Sequence, residues 1–118
     1  MNAAKLATLR EQVQTLNLAS DAVSEILAEA EEKLTGVGVE AVLPRTASGV
    51  QIGYSKFDDG WHISFATVNN PRLTKIRNAS RAIRIVAVES LDALVEALSE
   101  QTVALIARAA AVAKEKDQ

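Results

Sequence analysis

The sequence predicts an α+β fold: a three-stranded antiparallel β-meander packed against two long helices, one N-terminal and one C-terminal, with a short helix or strand between. Three observations predict it. Apolar residues recur at alternating spacings of three and four through the opening of the chain, the period of a helix with one covered face. A period-two pattern surrounds Asp58-Asp59-Gly60 in the middle, as in a β-hairpin. A second stripe spaced by four and three fills the last quarter.

The first segment, Ala3 to Leu34, contains neither Gly nor Pro. Leu6, Leu9, Val13, Leu16, Val23, Leu27, Ala30 and Leu34, with Ser20 completing the series, make the seam of a helix packed on another helix. Asn17 to Asp21 could cap a second helix, but the stripe keeps its phase across that stretch. One helix of about 48 Å is therefore expected. Gly36 and Gly38 end it, and Val39 to Leu43, Val50 to Phe57 and Trp61 to Val68 read as strands. With Asp59-Gly60 as the turn, Tyr54 faces Phe65, Ile52 faces Thr67 and Asp58 faces Trp61. Val50, Ile52, Tyr54, Ile63 and Phe65 then share one face, and the smaller Gly53, Ser55, Ser64 and Ala66 share the other.

Asn70-Pro71 carries the cap and first-turn signals of a further helix. Ala82 to Val88 is β-branched enough for a fourth strand, yet it fits a short helix capped by Ser80, which is preferred. The final helix runs from Leu91 to about Lys114, with Leu91, Val95, Leu98, Thr102, Leu105, Ala109 and Val112 as its stripe. An antiparallel pairing that sets Ser20 opposite Thr102 would bring Leu27 to Val95 and Val13 to Ala109. Such a pairing can form within one chain or between two. The stripes exceed what one short sheet can cover, so a homo-oligomer is expected, most simply a dimer.

The length of 118 residues suits a single domain, 1–118. Hydrophobic residues make up 48% of the chain but aromatics only 3%, so aliphatic side chains must fill the core. The absence of cysteine excludes disulfides, thiolate metal sites and cysteine nucleophiles, and it fits a reducing, cytoplasmic setting. The most apolar stretch, Val103 to Ala113, is broken by Arg108 and is about half of a membrane span. The amphipathic opening lacks a secretory h-region, and no membrane association is expected.

The net charge of -2 hides a division. Residues 1–34 and 89–118 each carry three basic and six acidic side chains, whereas Arg45 to Val88 carries seven basic and two acidic. Arg72, Lys75, Arg77, Arg81 and Arg84 form a basic segment with no acid among them, a candidate site for a nucleotide, an oligonucleotide or a nucleic-acid backbone. These cations could equally pair with Glu25, Glu29, Glu96 or Glu100 of the flanking helices.

Catalytic chemistry has little support. His62 is the single histidine, and a general base needs positioned partners. Asp58 and Asp59 are adequately explained by turn chemistry, and neither a phosphate loop, a dinucleotide turn nor a nucleophile elbow occurs. Phe57 and Trp61, near the hairpin tip, are candidate partner contacts. The expected function is that of a small non-enzymatic adaptor or inhibitor, of the kind mobile elements carry, self-associating through its helices and using no cofactor or metal. The alternative is an anion-binding module built on the basic segment 72–84.

Overall fold

The computed structural model of the chain describes residues 1–116. Asn2 starts the first helix: its side-chain oxygen accepts the backbone N–H groups of Ala4 and Lys5, which have no partner within the helix. α1 then runs unbroken over Ala3–Lys33. The continuous stripe prevails over the capping signal at Asn17 to Asp21.

Four strands follow, β1 (Ala41–Val42), β2 (Gln51–Phe57), β3 (Gly60–Ala66) and β4 (Thr74–Lys75), in one antiparallel sheet ordered β1-β2-β3-β4. The sequence predicts three strands; the fourth replaces the helix expected after Asn70-Pro71. The Asn70 carbonyl accepts the Thr67 N–H at 3.0 Å, and the Asn70 N–H donates to Thr67 Oγ1 at 3.1 Å. This turn carries the chain back to the free edge of β3, where Lys75 pairs with Ser64 and Thr74 with Phe65. An unpaired sheet edge offers backbone partners that outweigh a local helix-start signal. A 3-10 turn, Ile76–Asn78, leads to α2 (Arg81–Glu89), whose Ser80 cap accepts the Ile83 N–H. The ambiguous stretch Ala82 to Val88 is thus helical, and α3 (Leu91–Lys116) completes the chain.

The central hairpin pairs Tyr54 with Ile63 and Ile52 with Phe65, two residues from the predicted register. Asp58-Asp59 forms the turn, with Phe57 opposite Gly60. Among the described residues only glycines have a positive φ, so Asp58 and Asp59 stay in the ordinary region and Gly60 takes the unusual conformation at φ 123°. Glycine closes this turn instead of occupying its centre. An even slip leaves every side chain on its predicted face.

Ile52, Tyr54 and Ile63 are fully buried, and with Val50 they join Leu27 of α1, Ala87 of α2, and Leu94 and Leu98 of α3 in one core. Each such aliphatic side chain contributes about 1.5–3 kcal/mol through removal from water. Away from the hairpin end, the opposite face is made of small residues. Ser55 and Ser64 are buried there with their hydroxyls 3.1 Å apart. Val42 of β1 lies across Gly53.

α1 contacts α2 and β3, while α3 contacts β1, β2 and α2. The buried residues of α1 are Ser20 and Leu27, and those of α3 are Leu94 and Leu98. Residues 3–19 and 103–116 therefore extend as arms of about 25 Å and about 21 Å. The chain measures 80 × 27 × 25 Å. Neither helix exceeds about 46 Å, so a length of 80 Å requires the arms to project from opposite ends. The arm halves of the two stripes consequently do not meet within one chain, and Leu9, Val13, Leu16, Leu105 and Val112 are exposed. No helix among the described residues is long and apolar enough to cross a membrane.

A Cβ on Gly53 would sit 2.9 Å from the Ala41 carbonyl oxygen, which belongs to backbone and cannot yield as a side chain would. Gly53→Ala is expected to lower stability by about 1–3 kcal/mol, opposite to the gain that such a change gives where space is open. Urea unfolding with an unchanged m value would measure the difference.

Candidate functional site

Two features stand out from the core: a charged cluster at the hairpin end of the sheet, and the pair of uncovered helix arms. The cluster follows from strand geometry. Phe57, His62 and Lys75 lie on the same face, because Ser55 pairs with His62 and Ser64 pairs with Lys75. Asp59, held at the turn, reaches His62, Lys75 and the 3-10 turn beyond β4.

Asp59 Oδ1 lies 2.9 Å from Lys75 Nζ and 3.0 Å from His62 Nε2, and its Oδ2 lies 3.5 Å from Arg77 Nη2. The hydrogen bond from Lys75 dominates in holding the Asp59 carboxyl down to about 2, with His62 adding to it against a smaller desolvation effect. Lys75 also sits 5.8 Å from the Phe57 ring centroid, and Phe57 meets His62 edge-on. Glu31 of α1 closes the cluster from the helix side. One carboxylate oxygen accepts the Ile63 backbone N–H at 2.8 Å, and the other is 3.6 Å from His62 Nδ1. Nearby, Tyr54 donates to the Leu34 carbonyl at 3.2 Å, and burial, then the Glu31 charge, raises its phenol above the ordinary value.

Both His62 nitrogens therefore face carboxylates. The arrangement is a clamp: it joins the hairpin tip, β4, the 3-10 turn and α1.

The five cations of the basic segment do not converge on one surface. Lys75 and Arg77 are drawn to Asp59, an acid of the same central segment and not of the flanking helices. Arg72 and Arg81 are exposed, one before β4 and the other at the start of α2. Arg84 points towards α1, where its Nη1 donates to Ser24 Oγ at 3.0 Å. Phe57 and Trp61 occupy opposite faces of the sheet. Trp61 stacks on Tyr54 with ring centroids 5.5 Å apart and packs against the core, whereas Phe57 lies under Lys75.

The arms have a simpler anatomy. On the α1 arm the outward stripe is Leu9, Val13 and Leu16; on the α3 arm the exposed large apolar residues are Val103, Leu105, Ile106 and Val112. Leu105, Ala109 and Val112 line a shallow open groove along the α3 arm. The chain matches no protein family model, and no curated protein or solved structure proves similar to it.

The depressed value of Asp59 fixes the sign of its pH effect. Its contribution to stability is fully present above 3.8 and is lost as the pH falls through about 2. Carbon-detected NMR titration is expected to place the Asp59 midpoint near the lower of these values, and Lys75→Met should return it towards 3.8.

Proposed function

We propose that this chain is a non-enzymatic interaction protein of the adaptor or inhibitor type, which self-associates through the free halves of its two long helices. The observation that carries this reading is the pair of uncovered apolar stripes on arms that leave the body at opposite ends. Helices of about 12–15 residues are marginal in water unless one face is packed. Arms of that size, carrying Leu9, Val13 and Leu16 on one and Leu105, Ile106 and Val112 on the other, call for a partner surface. A cytoplasmic setting fits a chain without cysteine.

A second copy satisfies both arms at once. Turned end for end about a two-fold axis and laid alongside, it brings its α3 arm against the α1 arm of the first copy, and its α1 arm against the first α3 arm. The paired helices run antiparallel. The register that sets Ser20 opposite Thr102 places Val13 of one copy at Ala109 of the other. Such an isologous contact closes on itself and leaves no stripe free for further growth.

The alternative of a nucleotide or nucleic-acid site on the basic segment has weaker support, because Lys75 is held by Asp59 at 2.9 Å and Arg84 is turned to Ser24 of α1.

Light scattering after size exclusion tests the proposal. The expected mass is twice the 12.6 kDa chain, and Leu16→Glu or Leu105→Glu should each reduce it to one chain without loss of helix content. In a Val13→Cys, Ala109→Cys double variant, oxidation should link separate copies. A single-chain mass for the unmodified protein at tens of micromolar, or a dimer that survives both charge substitutions, would overturn it.

A further inference from the structure

Among the described residues, Arg84 is a half-buried cation that the fold leaves incompletely satisfied. It projects from α2 towards α1, and its contact with Ser24 Oγ uses only one nitrogen of the fork. Its Nε is buried with no hydrogen-bond partner, and among the described residues no carboxylate lies within ion-pair distance of it. A buried donor on a charged group is costly unless an acceptor meets it.

Nε itself is too enclosed for a solute to touch, so an acceptor reaches Arg84 at Nη2, and it has a place to sit. Between α1, the 3-10 turn and α2 lies a partly enclosed cavity of about 140 Å³. Arg84, Arg77 and Ser24 form its polar side, and Leu27, Ala28 and Ile76 form an apolar wall. Glu31 also reaches the cavity, but its carboxylate is turned to the edge of β3, where it takes the Ile63 N–H and faces His62. Arg77 meets Asp59 at 3.5 Å through Nη2 alone, leaving the rest of its guanidinium uncommitted.

We propose that this cavity binds a small monocarboxylate, its oxygens against Arg84 and Arg77 and its short aliphatic tail on Leu27, Ala28 and Ile76. Three features select that class. A planar carboxylate matches the guanidinium fork. The apolar wall suits a hydrocarbon tail and would gain nothing from a bare inorganic oxyanion. Glu31 in the same cavity disfavours a dianion more than a monoanion. The size is also defined: an engineered cavity of about 150 Å³ holds one benzene, so this one suits a molecule of about six non-hydrogen atoms, such as butyrate. The site lies beside the body half of α1 and does not depend on whether copies associate.

The test is a titration of the full chain with sodium butyrate at constant ionic strength, following the Arg84 Nε–Hε resonance and the melting temperature. A saturable shift with a millimolar midpoint, and a rise in melting temperature, are expected. Butyramide, the neutral analogue, should produce neither. Arg84→Gln should weaken binding by about tenfold or more, the loss expected for hydrogen bonds to a charged group. Ala28→Leu, which fills the tail space without touching the arginines, should abolish the butyrate response while the protein remains folded. Absence of a saturable shift with butyrate would overturn the proposal. So would an equal response to butyramide or to inorganic phosphate, or undiminished binding by the Ala28→Leu protein.

Discussion

The arrangement of this protein depends on a mismatch of lengths. Helices of 31 and 26 residues are set against a sheet whose longest strands have 7 residues, about 23 Å. At 1.5 Å per residue they extend about 46 Å and about 39 Å, so the sheet can cover only about half of each. The covered halves carry Leu27, Leu94 and Leu98 into the core; the uncovered halves carry residues of the same type into water. Apolar burial is roughly proportional to area, so a stripe that continues beyond its cover represents unused stabilisation. The account of self-association rests on that surplus.

The body supplies the rigidity that makes the arms directional. Glu31 ties α1 to the β3 edge through the Ile63 N–H, and the Asp59 cluster draws the hairpin tip, β4 and the 3-10 turn together. Exposed ion pairs taken singly contribute little. Here one carboxylate is shared by Lys75, His62 and Arg77, and a second meets a backbone donor and the same histidine, so the charges act as a network. Its consequence is geometric: the start of α2 and the end of α1 are fixed to one sheet, and Arg84 is brought to Ser24 across 60 positions of sequence.

Much of the fold was legible because it is written in periodicities. The three-four stripes located α1 and α3, and the period-two pattern placed Ile52, Tyr54 and Ile63 on the buried face despite a shifted turn. The turn was misplaced because Asp-Gly signals a tight bend without specifying which residue carries the positive φ, here Gly60. β4 was missed because Asn70-Pro71 is a local signal, whereas the edge of β3 that captures Thr74 and Lys75 exists only after folding. The charged cluster was hidden for the same reason. Lys75 and Arg77 were assigned free or paired to the long helices, and nothing in their spacing points to Asp59. Charge composition showed where cations are concentrated but not which acid meets each one.

Small-angle X-ray scattering on the purified protein tests the central claim most directly, because mass and length are read together. Two copies laid side by side and end for end should scatter with twice the 12.6 kDa mass while the longest dimension stays near the 80 Å of one chain. A particle of one chain's mass, or a doubled mass with a length far beyond 80 Å, would contradict it: the first leaves the stripes uncovered, and the second joins the copies by their tips.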